Sequence, residues 1–299
     1  LNNYAKYDLT LDIREDASGL HLRWEYNSDL FRADSIAQLA CHFERLLKGV
    51  ISQPKEHVLA VNMLSEKERH QQLSEWNDTE RLYAQASRAH SFHKCVEEQA
   101  QKQPHAVALC VNGRDYSYGE LNAKSNQLAH YLRNQYELNA DTLIGLCIER
   151  SADMFVAMLA ILKAGGAYLP IDPSYPRARR RYILEHARPV LVLTQIPLLS
   201  LVNDTLTAHA DDDVAMSIPR VCVDAPVWPG QSGDVKSAAL PTSNIEIPEH
   251  SEQLAYTLYT SGSTGNPKGV QISRGAFMNF LHAMQEKLQL NTQDRCLAV

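Results

Sequence analysis

No two of the six cysteines, Cys41, Cys95, Cys110, Cys147, Cys222 and Cys296, lie within four residues of each other. Neither a zinc-ligand spacing nor a Cys-x-x-Cys redox pair is therefore available. Most sit in apolar stretches such as residues 143–148, where cysteine acts as a small hydrophobe, so buried, reduced thiols are expected. Long apolar runs are missing as well. The longest, residues 154–162, stops at Lys163, well short of the roughly 18–20 residues that span a bilayer. Positive charge is not in excess: the formal net charge is −6, which argues against a sequence-independent nucleic-acid or anionic-membrane binder. The first residues, Leu-Asn-Asn-Tyr, lack both a secretory pattern and an initiator Met, so a piece of a longer, soluble, cytoplasmic product is expected. Of twelve histidines only His90 and His93 come close together. With no carboxylate cluster nearby, they are expected to be solvated surface residues and not metal ligands.

Hydrophobic residues make up 44 % and charged residues 21 % of the 299, ordinary globular usage for about two domains or parts of them. Leu9, Leu11 and Ile13 share one strand face and Leu20, Leu22, Trp24 and Tyr26 another, which predicts an antiparallel pair. Ile36, Leu39, Ala40, Phe43, Leu46, Leu47 and Val50 line one face of a helix, with Ser35 and Gln38 in capping-box spacing. Residues 52–88 read as a short helix followed by a linker. A helix over 92–102 then precedes a hairpin, 107–111 and 114–118, turned by Asn112-Gly113 in type I′ geometry. Ser117 and Glu120 form a second capping box, opening a helix with Leu121, Leu128, Ala129 and Leu132 on one face. Apolar strands at 143–148, 167–171 and 190–194 alternate with helices at 152–163 and 177–187, the pattern of parallel strands covered on both faces. Residues 203–252 are expected to be a long polar loop with one short strand at 220–224. Strands at 254–259 and 270–272, a helix at 274–288 and a final strand at 295–299 complete the chain.

Between the strands at 254–259 and 270–272 runs Tyr259-Thr260-Ser261-Gly262-Ser263-Thr264-Gly265-Asn266-Pro267-Lys268-Gly269. Three glycines, four hydroxyls and one lysine in such a loop can wrap a polyphosphate: backbone N–H groups approach closely, hydroxyls add donors and the ammonium neutralises charge. It is not a Walker A loop, because Pro267 precedes the lysine and Gly269 follows it. It is not a nucleophile elbow either, because Ser261 stands two residues before Ser263 where glycine is required. By composition alone it is equally a flexible surface loop.

Residues 254–269 closely resemble the phosphate-binding signature of nonribosomal peptide synthetase adenylation domains. These belong to the acyl-adenylate-forming superfamily, which includes acyl-CoA synthetases and firefly luciferase. Tyr116-Ser117-Tyr118-Gly119-Glu120-Leu121 is similar to the family's first core motif. Leu162-Lys163-Ala164-Gly165-Gly166-Ala167-Tyr168-Leu169-Pro170-Ile171-Asp172 is similar to its second, in a form typical of peptide synthetases. Lys6-Tyr7-Asp8-Leu9, Trp24-Glu25-Tyr26-Asn27, Asp29-Leu30-Phe31 and the helix after them resemble the end of a condensation domain. Trp76-Asn77-Asp78-Thr79 resembles a tetrapeptide found between the two domain types.

The resemblance implies an α/β fold in three parts. Residues 1–64 would be a chloramphenicol acetyltransferase-like condensation tail, 65–90 a linker, and 91–299 an incomplete adenylation N-terminal subdomain with a mostly parallel, helix-covered sheet. It implies an ATP-dependent ligase: an amino-acid carboxylate attacks the α-phosphorus of ATP, and the aminoacyl adenylate passes to the phosphopantetheine of a carrier domain. By motif, Thr260, Ser261, Gly262, Ser263, Thr264 and Gly265 hold the β- and γ-phosphates and Lys268 assists. Mg2+, an amino acid, a carrier domain and the rest of the condensation domain are the implied cofactor and partners. No nucleic acid, membrane or protein-held metal is expected. Arg274 stands where many members have His, Asn266 where the family varies, and Lys163 is structural in the second motif.

Arg177, Arg179, Arg180 and Arg181 are expected on a solvated helix face, and Asp211-Asp212-Asp213 in a solvated loop and not on a metal. The condensation histidine signature, the later adenylation motifs and a carrier serine motif do not occur in these residues, so this stretch alone is expected to be inactive. A truncated non-catalytic product and a standalone acyl-CoA ligase are the alternatives.

Overall fold

The computed structural model describes residues 5–81, 91–207, 215–230, 233–261, 267–292 and 294–297. The chain divides into two compact units, 1–81 and 82–299.

In the first unit β1 (Leu9–Asp16) pairs antiparallel with β2 (Gly19–Tyr26), from Leu9 opposite Tyr26 to Asp16 opposite Gly19. Trp24 meets Phe43 of α1 (Ala33–Ser52) edge-on at 5.8 Å. The expected Ser35/Gln38 capping box does not form. The helix starts earlier, after Arg32, which makes no side-chain cap, and Gln38 Nε2 donates to Glu68 Oε1 at 2.9 Å. The capping box of this unit belongs instead to α2 (Glu66–His70), with Ser65 and Glu68 as the reciprocal pair. Glu68 also meets His42 Nε2 at 2.8 Å and accepts from Arg45 at 3.1 Å. Ser65's hydroxyl and amide, then Gln38 and His42, hold its carboxyl well below the ordinary range. One carboxylate therefore ties α2 to α1.

The second unit opens with α3 (Phe92–Lys102) and the hairpin β3 (Val107–Val111) and β4 (Arg114–Ser117). Asn112 and Gly113 take φ of 51° and 76°, as a type I′ turn requires. Ser117 caps α4 (Tyr118–Gln135), accepting from Glu120 N, while the Glu120 carboxylate accepts from Ser117 N at 2.9 Å. A six-stranded sheet follows, built from β5 (Leu143–Leu146), β6 (Ala167–Pro170), β7 (Val192–Thr194), β8 (Arg220–Cys222), β11 (Leu254–Thr260) and β12 (Lys268–Ser273), in the order β12-β11-β6-β5-β7-β8. All pairs are parallel except β11–β12.

Alternation along these strands sends Ile144, Leu146, Tyr168 and Leu193 to one face, with α4 and α5 (Ala152–Ala164). Leu169, Val192 and Tyr259 go to the other, with α6 (Arg177–Ala187) and α7 (Leu199–Leu206). Period-two strands between two helical layers give the expected mostly parallel, helix-covered architecture.

Residues 203–252 are not one solvated loop. α7 buries Val202 and Leu206, and a two-residue pair, β9 (Val227–Trp228) with β10 (Val235–Lys236), seats Trp228 on Tyr131 of α4 at 5.0 Å. Short apolar pairs inside a polar stretch carry too little periodicity to announce themselves. Residues 294–297 form no strand, and 298–299, the end of that expected element, lie outside the described residues. Only Cys147 is buried, and burial pushes its thiol up to about 11. Cys41, Cys110 and Cys296 are exposed and Cys95 and Cys222 half-buried. The expectation of mostly buried thiols fails because an apolar neighbourhood in sequence does not say which face a strand or helix presents. Among the described residues no helix is long and apolar enough to cross a membrane.

Candidate functional site

The hydroxyl- and glycine-rich loop joins β11 to β12, whose register runs from Leu254 opposite Ser273 to Thr260 opposite Lys268, with an irregularity between Leu254 and Tyr256. Thr260, Ser261 and Lys268 are exposed at the mouth of this hairpin, so the register brings a hydroxyl residue and the ammonium-bearing residue to directly opposite positions. Gly262, Ser263, Thr264 and Gly265, with Asn266, lie outside the described residues. Because β11 runs parallel to β6, the loop leaves from the carboxyl end of the parallel strands, where open α/β sheets take their ligands.

The hairpin is seated on its neighbours by aromatic contacts. Tyr256 pairs with Tyr168 of β6, their rings stacked at 5.2 Å, and Phe277 of α8 (Arg274–Leu288) meets Tyr256 edge-on at 5.5 Å. At the far end of β12, Arg274 is 3 % exposed. Its Nη2 donates to Leu162 O (3.1 Å) and Gly166 O (3.2 Å), and its Nη1 to Glu249 Oε1 (2.8 Å). Leu162 O lies at the C-terminal end of α5, where carbonyls lack helical partners and a cation is favoured. Arg274 is thus a clamp between the hairpin and the turn at 162–166, remote from the loop mouth.

Glu249 also accepts from His93, whose Nε2 lies at 2.9 Å, while His93 Nδ1 lies 2.9 Å from Ser91 Oγ. His93 is fully buried, which corrects the expectation of a surface histidine. Its carboxylate partner stands far along the chain, beyond any local pattern. His90 lies outside the described residues. Burial pulls the His93 imidazole below its ordinary value against the opposing pull of Glu249. Burial alone would raise the Glu249 carboxyl, but hydrogen bonds from His93 and Ser91 and the Arg274 charge outweigh it and hold it at about 2.

Lys163 belongs to the same buried side of the unit. Its Nζ donates to Glu97 Oε1 at 2.6 Å and to Asn122 Oδ1 at 2.7 Å, with no exposure of its side chain. Lys94 closes the other oxygen of Glu97 at 3.1 Å. Burial pulls the Lys163 ammonium down and Glu97 pushes it back up. Both partners hold Lys163 within the buried helical layer.

The arginines of α6 are not a solvated face. Arg180 and Arg181 are buried. Arg180 donates to Thr205 Oγ1 and to the carbonyls of Pro173 and Tyr175, Arg181 to Thr207 O, and Arg177 to Asp204 O and Thr207 O. These donors cross-link α6 to α7 and to the turn after β6. The partners lie up to thirty residues on in sequence, so the charge run alone could not disclose them. Asp211, Asp212 and Asp213 lie outside the described residues. Among the described residues no three His, Cys, Asp or Glu side chains group as a metal site.

Comparison with known proteins agrees with the architecture. A family model described as "AMP-binding enzyme" matches residues 96–299, and a condensation-domain model matches residues 1–73. One of the linear gramicidin synthase proteins of Brevibacillus parabrevis is 38 % identical over 279 residues, covering 93 % of this chain and 5 % of that protein. Tyrocidine synthase 3 of the same organism is 36 % identical, covering 99 % and 4 %. Chondramide synthase of Chondromyces crocatus is 36 % identical, covering 98 % and 7 %. The chain thus spans only a small part of each relative's length. A crystal structure of a nonribosomal peptide synthetase in an AMPPNP-bound form shares the fold at 24 % identity (TM-score 0.67), over 96 % of this chain and 28 % of that one. A four-domain nonribosomal peptide synthetase bound to AMP and glycine superposes at 26 % identity (TM-score 0.63), over 96 % of this chain and 19 % of that one.

Proposed function

The chain belongs to the AMP-binding enzyme family, preceded by condensation-domain residues, and on that premise we propose that it is the part of a peptide synthetase module that grips the polyphosphate of ATP. We place the condensation tail at 1–64, a linker at 65–90 and the adenylation part at 91–299. The complete adenylation domain would join an amino-acid carboxylate to the α-phosphorus of ATP, release pyrophosphate and load the residue on a carrier-domain phosphopantetheine. A cytoplasmic location is part of the same reading.

The observation that carries it is the hairpin mouth: Thr260, Ser261 and Lys268 exposed together at the carboxyl edge of the parallel sheet. Hydroxyls and backbone N–H groups there donate to β- and γ-phosphate oxygens, with Gly262, Ser263, Thr264 and Gly265 completing the wrap, and Lys268 supplies an ammonium to the charge that grows on leaving pyrophosphate. Holding the leaving group still while the carboxylate lies in line is positioning and electrostatic catalysis, and it needs no covalent enzyme intermediate. Mg2+ enters this reading with ATP, as the chelated triphosphate.

The test is amino-acid-dependent exchange of labelled pyrophosphate into ATP by the synthetase containing this chain. Lys268→Ala removes a charge-assisted contact worth roughly 1.5–3 kcal/mol, about a 10- to 150-fold loss in kcat/KM for ATP. An unchanged rate removes the lysine from the phosphate role. Absence of exchange with every amino acid in the unaltered enzyme rejects the adenylation reading.

A further inference from the structure

Tyr259 is the last buried residue before the loop: Thr260 and Ser261 after it are exposed, whereas it belongs to the buried cluster that includes Leu169, Ile171, Ile183 and Leu184. Its Oη lies 2.6 Å from Nδ1 of His186 on α6. Burial, with the nearby Tyr182, pushes the Tyr259 phenol above its ordinary value, and the imidazole tautomer decides which of the two groups donates. The two rings meet edge-on at 5.7 Å and 87°. His186 is in turn stacked on Tyr182 at 5.7 Å and 16°, which fixes the plane of the imidazole. Across the hairpin Tyr259 faces Gly269, the residue after Lys268. A Cβ on Gly269 would come to 3.2 Å from Tyr259 Cζ and 3.2 Å from Thr257 Cγ2. The ring thus leaves little room at Gly269, and a single side chain borders both ends of the loop: it precedes Thr260 in the chain and lies beside the residue next to Lys268.

We infer that the hydrogen bond between Tyr259 and His186 is a positioning contact for the polyphosphate loop, holding the ring that sets the spacing of Thr260 and Lys268 at the hairpin mouth. Neither residue is assigned a contact with the phosphates. The pair acts by keeping the donors of Thr260 and Lys268 where the polyphosphate needs them. This rests on the adenylation reading, and its consequence is specific: the contact sets the affinity for ATP and leaves the amino-acid site alone.

The experiment is steady-state pyrophosphate exchange by the synthetase containing this chain, with ATP and amino acid varied separately. Tyr259→Phe keeps the ring and removes the O–H; His186→Ala removes the imidazole partner; His186→Asn returns a carboxamide, able to donate or accept, near the place of Nδ1. Tyr259→Phe and His186→Ala are each expected to raise KM for ATP about 3- to 10-fold, the worth of one neutral hydrogen bond. KM for the amino acid and kcat are expected to stay within about twofold of the unaltered enzyme. The double variant should be no worse than either single one, and His186→Asn should restore most of the ATP affinity. An ATP KM unmoved in both single variants overturns the inference. So does a joint fall of kcat and thermal midpoint with both KM values raised, which would mark the pair as core packing. No exchange in the unaltered enzyme rejects the adenylation reading and the inference with it, an outcome distinct from normal exchange with an unmoved ATP KM.

Discussion

Lys163 and Lys268 are the same residue in opposite surroundings. Lys163 is fully buried, with Glu97 and Asn122 as partners; Lys268 is exposed at the mouth of the β11–β12 hairpin. A buried ammonium without its carboxylate is very costly, so Lys163 and Glu97 hold each other in place. An exposed ammonium contributes little to folding, and its charge stays available for phosphate. The fold separates a lysine that secures the helical layer from one whose charge lies exposed at the hairpin mouth, and the separation can be tested from both sides.

The largest effect is expected on the buried side. Lys163→Ala leaves Glu97 nearly buried and short of its main partner, which costs about 3–5 kcal/mol. Urea unfolding should show a matching fall in midpoint. Adding Glu97→Gln should recover part of it, since the stranded charge is then gone. A loss below about 1 kcal/mol would mean that water reaches Glu97 and that the two lysines differ less than their burial implies.

Next comes acid. His93 is buried with its pKa lowered, so the unfolded chain binds a proton that the folded chain does not, and stability falls as pH drops below the ordinary histidine value near 6.5. Glu249 is held at about 2, so its contribution is present above the ordinary carboxylate range and lost as pH falls from about 4.5 toward 2. Both changes have the same sign, and the Glu249 part alone is on the order of 2 kcal/mol between pH 4.5 and 3. Unfolding midpoints measured from pH 7 to 3 should fall steadily, and Glu249→Gln should flatten the lower part of that profile. A flat profile in the unaltered chain would show that the buried network is not ionised as its geometry requires.

How far each side was legible follows from where its partners stand. The strand–helix alternation from residue 143 to 194 was readable because short apolar runs bounded by polar turns leave few other solutions. The Ser117–Glu120 capping box was readable because both members are local, and it is present with both reciprocal bonds. The Ser35–Gln38 pair has the same spacing and does not form, because Gln38 is drawn to Glu68 thirty residues later. His93, Arg180, Arg181 and Arg274 were misplaced or left without a role for the same reason: Glu249, Thr205, Thr207 and the carbonyl of Leu162 are remote in sequence. In the loop, residue types and order pointed to phosphate, but the opposition of Thr260 and Lys268 comes from strand register. The ring of Tyr259 against Gly269 comes from packing between strands. Local chemistry reads directly from sequence; pairing across elements does not.

The smallest effect should come from Lys94, which stands between the two extremes. Its side chain is 22 % exposed and it contacts Glu97 at 3.1 Å and the well-exposed Glu246 at 3.2 Å. Burial pulls its ammonium down, but hydrogen bonds and charge from Glu97 and Glu246 prevail and raise it above the ordinary value. Its stabilisation is therefore present below the unfolded lysine value, near 10.4, and is lost as pH rises through the raised one. At neutral pH Lys94→Ala leaves Glu97 still paired with Lys163 and opens the vacated side to water. The expected cost is below about 1 kcal/mol, in the range of partly exposed ion pairs. Pyrophosphate exchange should be unaffected, because Lys94 lies on α3, away from the hairpin mouth. Urea midpoints for Lys94→Ala and Lys163→Ala, measured side by side, decide the matter. A loss of about 2 kcal/mol or more at Lys94 would mean that Glu97 depends on both ammonium groups together, and burial of the lysine itself would no longer be the variable that sorts these residues.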